Sequence, residues 1–262
     1  MYKIIILGSG GAPGVPALAI GWGRCNPDNP KNYRTRTTVY MIYNNTRILI
    51  DTSPDLRAQM LTNNISEFDG ILYTHAHADH LNGIDDLREV SCVKPEGINF
   101  YASAETMEVI RRRYPYLLAI PNRIDDVVTH SSLQANEIKY YEPFFIKDLK
   151  ITPIRLIGHT VPSTGYIFND GEVVYIADYR QMEEETFKHI RKKVKLMIAP
   201  LTTLNGAAYH AGLKEVLSDI ERIAPERAAL NHLGTKCDYD EVNNLTPQNV
   251  EPSFDNMKIE LD

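Results

Sequence analysis

Eight consecutive residues constrain this chain more than any others. Tyr73-Thr74-His75-Ala76-His77-Ala78-Asp79-His80 follows an apolar run at 70–74 that reads as a buried strand, and it precedes Leu81-Asn82-Gly83. An isolated His-x-His reads as polar surface, but the full His-x-His-x-Asp-His pattern after a strand reads as a metal motif. A loop leaving a strand end can turn His75 and His77 to one side and Asp79 and His80 to another, so one tight turn can serve two metal ions. A binuclear site needs further ligands, and other strand ends offer them. Gly158-His159-Thr160 follows a strand at 151–156, Ala177-Asp178-Tyr179 ends a strand at 172–176, and Asn231-His232-Leu233 ends a strand at 227–230.

The rest of the chain reads as one continuous α/β domain over 1–262, with strands and helices alternating and no repeat at a fixed period. Strands are expected at 3–7, 38–43, 47–51 and 70–74, with Asn44-Asn45 turning a hairpin. Ser53-Pro54-Asp55 is expected to open a helix whose apolar side is Leu56, Met60 and Leu61. Residues 92–147 are less regular: a helix at 103–113 and then Pro115, Pro121 and Pro143 suggest a lobe or lid. Beyond them come strands at 165–169 and 172–177 joined by Asp170-Gly171, a helix at 182–194 and a strand at 196–199. A helix at 210–224 and a strand at 227–231 complete the series. Leu213, Val216, Leu217, Ile220 and Ile223 form one core-facing stripe on the helix at 210–224.

Composition narrows the function. A net charge of −6 supplies no global field for a polyanion, so an extended nucleic-acid footprint is not expected, whereas a small anionic substrate is. The longest apolar run near the start, 4–7, is too short for a signal segment or a membrane span, and the expected location is the cytoplasm. Cys25, Cys92 and Cys237 are odd in number and far apart, which fits a reducing compartment.

Several weaker signals are weighed beside these. Gly8-Ser9-Gly10 follows a strand, but Pro13, Pro16 and the lack of a following helix break the nucleotide-loop fingerprints, leaving a turn that brings backbone close to the metals. Arg34 and Arg36 are candidate contacts to a substrate phosphate, with a solvated strand end as the alternative. Arg111-Arg112-Arg113 reads as an exposed helix end. His130 and His189 follow no strand-end pattern and read as structural or solvated.

Taken in order, His75, His77, Asp79, His80, His159, Asp178 and His232 resemble the metal-ligand series of the metallo-β-lactamase superfamily. The opening Gly8-Ser9-Gly10-Gly11-Ala12-Pro13-Gly14-Val15-Pro16 resembles the start of its PhnP-like branch, which includes phosphoribosyl 1,2-cyclic phosphate phosphodiesterases. The resemblance runs through nearly the whole chain and implies a four-layer αββα sandwich with the site at one edge. It implies that His75, His77 and His159 hold a first metal, that Asp79, His80 and His232 hold a second, and that Asp178 bridges them. Zinc, manganese and iron all accept such mixed sites.

A carboxylate at the bridging position favours hydrolases of phosphodiesters and of some thioesters or lactones, since true β-lactamases of this fold generally carry Cys there. Two divalent ions, the two carboxylates and a bridging hydroxide would leave about one positive charge, which a singly charged diester neutralises. The resemblance also aligns His210, expected at the start of a helix, with a non-ligand histidine. It would donate a proton to the leaving oxygen or hydrogen-bond the phosphoryl group. Turnover should therefore depend on Asp79 and His210.

The expected function is hydrolysis of a small cyclic nucleotide, cyclic sugar phosphate or similar diester, possible in a homodimer. An RNase Z-type nuclease is the first alternative, but no long basic or Gly-rich arm is present to grip RNA. A glyoxalase II-like thioesterase is not expected, because the chain leaves no room for that family's extra C-terminal helical domain. A non-hydrolytic accessory protein like PqqB shares the fold, and fold alone does not separate it. One departure stands out. PhnP-like proteins often carry a structural zinc on cysteines after the glycine loop and on a later histidine, but residues 17–28 offer only Cys25, and Thr235 stands at the later position. No intact structural zinc site is expected, although Cys25 and Cys237 could coordinate weakly if they meet.

Overall fold

The computed structural model describes residues 1–92, 94, 97–118 and 133–262. The first sheet is laid down by β1 (Tyr2–Gly8), β2 (Thr38–Tyr43), β3 (Thr46–Ile50), β4 (Gly70–Leu72), β5 (Ile98–Ser103) and β6 (Leu133–Ile138), side by side in that order. The second contains β7 (Phe144–Ile146), β8 (Leu149–Ile157), β9 (Ser163–Phe168), β10 (Val173–Tyr175), β11 (Gln181–Met182), β12 (Leu196–Pro200), β13 (Arg227–Asn231) and β14 (Val250–Pro252). Its order is β11-β8-β9-β10-β12-β13-β14, with β7 paired to β8. The chain then returns to the first sheet, where β15 (Met257–Leu261) pairs antiparallel with β1.

Strand alternation makes the first sheet two-faced. Ile4, Ile6, Val39, Met41, Ile48 and Ile50 join the core shared with the second sheet, while Leu7, Tyr40 and Leu49 turn the other way. That outer face is covered by α1 (Leu56–Thr62), the short α2 (Ala78–Leu81), α3 (Leu87–Cys92) and α4 (Ala104–Arg113), which contribute Leu56, Leu81, Leu87 and Ile110. The second sheet is flanked by α5 (Glu184–Lys188), α6 (Leu213–Ile223) and α7 (Tyr239–Leu245); Val216, Ile220 and Val242 enter the shared core. The expected α/β four-layer sandwich is what forms. Among the described residues no helix is long and apolar enough to cross a membrane.

Helix ends follow local chemistry. The Ser103 hydroxyl accepts from the Thr106 N–H to start α4, and the Asp238 carboxylate accepts from the Asp240 and Glu241 N–H groups to start α7. Several boundaries differ from the sequence reading. Ser53 does not open α1: the Ser53 carbonyl and hydroxyl only close a turn onto Leu56 and Asp55, and Leu61 is 62% exposed. The helix expected at 182–194 shrinks to Glu184–Lys188, because the Arg191 and Lys192 N–H groups both turn back to the Asp170 carbonyl. The helix expected from 210 starts at Leu213, after Gly212, whose N–H is held by the Glu215 carboxylate. Where it is described, the segment 92–147, expected to form an irregular lobe or lid, contributes the parallel strands β5 and β6 to the first sheet and β7 to the second. Pro121 and His130 lie outside the described residues.

Candidate metal centre

The motif after β4 sits where the two sheets meet. Its first residues are pinned from the second sheet: the Tyr166 hydroxyl donates to the Tyr73 carbonyl (2.6 Å) and the Thr164 N–H to the Thr74 carbonyl (2.9 Å). Asp51, just past β3, holds the turn from the other side, accepting from the Thr74 N–H and the Thr74 hydroxyl at 2.8 Å each. Asp51 sits in the left-handed backbone region at φ 62°, which Asp tolerates better than most residues. The chain then enters α2, which places Asp79 and His80 one turn behind His77. Gly83 lets this turn close on the Ser53 carbonyl, since a Cβ there would lie 2.0 Å from that oxygen.

The ligand-type residues read from the sequence converge. His75 Nε2 and His159 Nε2 lie 3.1 and 3.0 Å from His77 Nδ1. His232 Nε2 lies 3.1 Å from Asp79 Oδ2 and 3.3 Å from His80 Nε2. Between these triplets stands Asp178, 2% exposed, with its Oδ2 4.0 Å from His75 Nε2, 3.7 Å from His80 Nε2 and 3.9 Å from His159 Nε2. Its Oδ1 is 3.4 Å from His232 Nδ1 and is buried with no hydrogen-bond partner.

The second nitrogen of each ring is anchored as well. His75 Nδ1 meets the Thr74 hydroxyl (3.0 Å), His77 Nε2 the Thr160 hydroxyl (3.1 Å) and His159 Nδ1 the Tyr209 carbonyl (3.1 Å). His80 Nδ1 meets Asp51 Oδ2 (2.7 Å), and His232 Nδ1 meets the Thr202 hydroxyl (3.1 Å). Such outer partners fix tautomer and ring orientation in metal sites. The inward nitrogens face one another and two carboxylates with too few protons to share, an arrangement that a cation relieves. His75, His77 and His159 form one group of candidate ligands; Asp79, His80 and His232 form another, and His75, His80 and Asp178 a third. The residues therefore fit metal ions.

The electrostatics agree. Burial and the neighbouring His80, His77 and His159 rings push His75 well below the usual imidazole range, so it offers a lone pair. Burial alone would raise the Asp79 and Asp178 carboxyls, but the rings around them hold both below the usual carboxylate range. His80 is raised despite burial, because Asp79 and Asp51 flank it; the cluster favours positive charge there, and metal binding would displace protons.

His210 also reaches the site, though not from a helix start. It closes a tight turn with Ala207, and one ring nitrogen forms a group with His159 and Asp178. The glycine loop approaches as expected: the Gly11 N–H donates to the Leu233 carbonyl, and a Cβ on Gly11 would lie 3.2 Å from the His232 ring. Asp51, Thr74, Thr160 and Thr202 were not singled out in the sequence. Only Asp51, an acid directly after a strand, left a readable signal.

The two arginines are engaged by the protein itself. Arg34 is 2% exposed, its guanidinium donating to the Cys237 carbonyl (2.8 Å) and Asn32 Oδ1 (3.0 Å) and reaching Cys25 Sγ at 3.8 Å. A permanent cation thus sits between Cys25 and Cys237, and burial pushes the Cys237 thiol up to about 12, so these residues do not fit a structural metal. Arg36 is held by Asp55 in an ion pair of 2.8 Å. Of the triple arginine, Arg113 donates to the Ala76 carbonyl (3.2 Å), tying the end of α4 to the histidine motif. His189 stacks on Tyr141 at 5.1 Å.

Residues 46–233 match the family model of the β-lactamase superfamily domain, and the chain belongs to that superfamily. Its fold is shared with a solved diphosphatase of the PhnP family, at a TM-score of 0.88 and 24% identity, covering 100% of this chain and 98% of that one. It is 29% identical to an octanoyltransferase of Porphyromonas gingivalis over 99% of this chain and 52% of that protein. It is 24% identical to a ribonuclease Z of Nanoarchaeum equitans over 68% of this chain and 54% of that protein. The chain thus spans about half the length of the curated relatives it matches.

Proposed function

We propose that the chain is a metal-dependent phosphodiesterase that hydrolyses a small diester such as a cyclic nucleotide or cyclic sugar phosphate. The observation that carries this reading is the convergence of five anchored imidazoles on two buried carboxylates, with Asp178 Oδ1 left without a partner. His75, His77 and His159 would hold one divalent ion and Asp79, His80 and His232 another, with Asp178 between them. Bound there, such ions supply an activated water and polarise the phosphoryl oxygens.

The chain's own residues do the rest. Thr74, Asp51, Thr160, the Tyr209 carbonyl and Thr202 keep the rings in one orientation, and His210 stands beside the centre to protonate the leaving oxygen. The net charge of −6 favours a small substrate over a long polyanion. The buried free Cys25 and Cys237 favour a reducing compartment. Similarity to a diphosphatase and a ribonuclease supports chemistry at phosphorus.

The test is metal-free protein restored separately with zinc and with manganese, assayed on bis(p-nitrophenyl) phosphate and on p-nitrophenyl phosphate. Diester turnover that returns with metal and exceeds monoester turnover is the expected result. Two bound ions with no diester turnover would overturn it.

A further inference from the structure

His232 differs from the other candidate ligands in its backbone. Its φ is 56°, in the left-handed region, where none of the other six lies. That region is sparsely populated for a residue with a Cβ, and it persists where the surroundings impose it.

The neighbours of His232 are pinned on both sides. Before it, the Asn231 carbonyl accepts from the Leu201 N–H (2.7 Å), and the Asn231 amide donates to the Thr37 hydroxyl (2.7 Å). After it, Leu233 is laced twice to the glycine loop: its N–H donates to the Ser9 carbonyl (2.8 Å), and its carbonyl accepts from the Gly11 N–H (3.2 Å). From this left-handed position the ring turns Nε2 to 3.1 Å from Asp79 Oδ2 and 3.3 Å from His80 Nε2. A backbone relaxed toward the commoner regions would swing the ring away from both.

The glycine loop is held in turn by one carboxylate. Asp255, in the turn between β14 and β15, takes the Ser9 N–H and hydroxyl on Oδ1 at 2.8 Å each. Its Oδ2 takes the Thr35 N–H (2.8 Å) and hydroxyl (2.7 Å), and the Thr35 carbonyl accepts from the Gly10 N–H (2.8 Å). Both carboxylate oxygens are thus spent on joining Ser9 to Thr35, and neither bonds a candidate ligand.

We propose that Asp255 is a positioning residue for the metal held by Asp79, His80 and His232. Through Ser9, the glycine loop and Leu233 it keeps His232 in the left-handed conformation that aims Nε2 at its two partners. The inference rests on the reading of those three residues as one ligand group.

The experiment titrates the metal-free full chain with zinc and with cobalt, comparing the parent with Asp255→Asn, Ser9→Ala, His232→Ala and Arg34→Met. Asparagine keeps the shape of Asp255 but turns an amide toward donors on one arm of the clamp. Asp255→Asn should bind the first equivalent as the parent does and the second at least about tenfold more weakly, with altered cobalt absorption at that site. Ser9→Ala should shift the second equivalent in the same direction by less. In the metal-free chain the Leu233 amide should exchange with solvent faster in both variants. Arg34→Met, which destabilises the fold beside the loop, should leave both equivalents unchanged.

A folded Asp255→Asn that binds the second equivalent as tightly as the parent, or loses both equally, would overturn the proposal. Where Asp255→Asn does not fold, an unchanged second equivalent in Ser9→Ala does the same. His232→Ala tells the two readings apart: it should abolish only the second equivalent. If it retains both, the ligand assignment falls and this inference with it.

Discussion

Two buried polar clusters flank the glycine loop, and they solve the problem of burial in opposite ways. Around Arg34 a cation meets acceptors: the Cys237 carbonyl and Asn32 Oδ1 take its protons, and Asn32 in turn binds Asp238 and the Tyr239 N–H. Around Asp178 acceptors meet acceptors, with imidazole nitrogens about as close as hydrogen-bonded atoms and a carboxylate oxygen without a partner. Buried polar groups persist when their bonding is satisfied. The first cluster supplies its own positive charge and leaves only the Arg34 Nε among the guanidinium nitrogens without a partner; the second is arranged for positive charge that the chain does not provide. The contrast separates a structural cross-link from a centre built to bind ions.

Substitutions in the two clusters should behave differently. The largest effect is expected from Asp79→Ala, which should remove one of two metals and lower turnover by more than about 10⁴-fold without unfolding the chain. Elemental analysis beside circular dichroism checks this, and unchanged activity would break the assignment of Asp79 to the centre.

Next, His210→Ala should retain both metals and slow hydrolysis by about 10²- to 10⁴-fold; a loss below about tenfold would make it a bystander.

In the other cluster, Arg34→Met should cost about 3 kcal/mol in urea unfolding, because it strands buried acceptors, while metal content stays unchanged. A variant as stable as the parent, or one that loses a metal, would erase the contrast.

The smallest effect belongs to Arg36→Ala. Losing its partly exposed ion pair with Asp55 should cost at most about 1 kcal/mol and leave the KM for a diester unchanged. A tenfold rise in KM would return Arg36 to the substrate.

The candidate ligands were legible because each announces itself locally: a strand ends and a histidine or aspartate follows. The fold was legible for a related reason, since alternating apolar residues in β1, β2 and β3 already specify a sheet with two covered faces. What escaped depends on contacts between distant segments. Arg34 looked free because the loop that buries it, 234–237, lies about two hundred positions away. Asp255 gave no signal either, although its carboxylate holds both Ser9 and Thr35 and so clamps the glycine loop. The threonines behind the histidines are ordinary in sequence and matter only through the rings that fold onto them. Helix limits near His210 shifted because the turn between Ala207 and His210 consumes residues whose propensities also suit a helix.

The account stands most directly on a zinc titration of the metal-free protein, followed at once by calorimetry and by hydrolysis of bis(p-nitrophenyl) phosphate. Diester turnover should rise with added zinc and level off at two equivalents per chain, with proton release as the histidine cluster gives up its protons. Full turnover in excess chelator, or two tightly bound ions with no turnover of any phosphodiester, would contradict it.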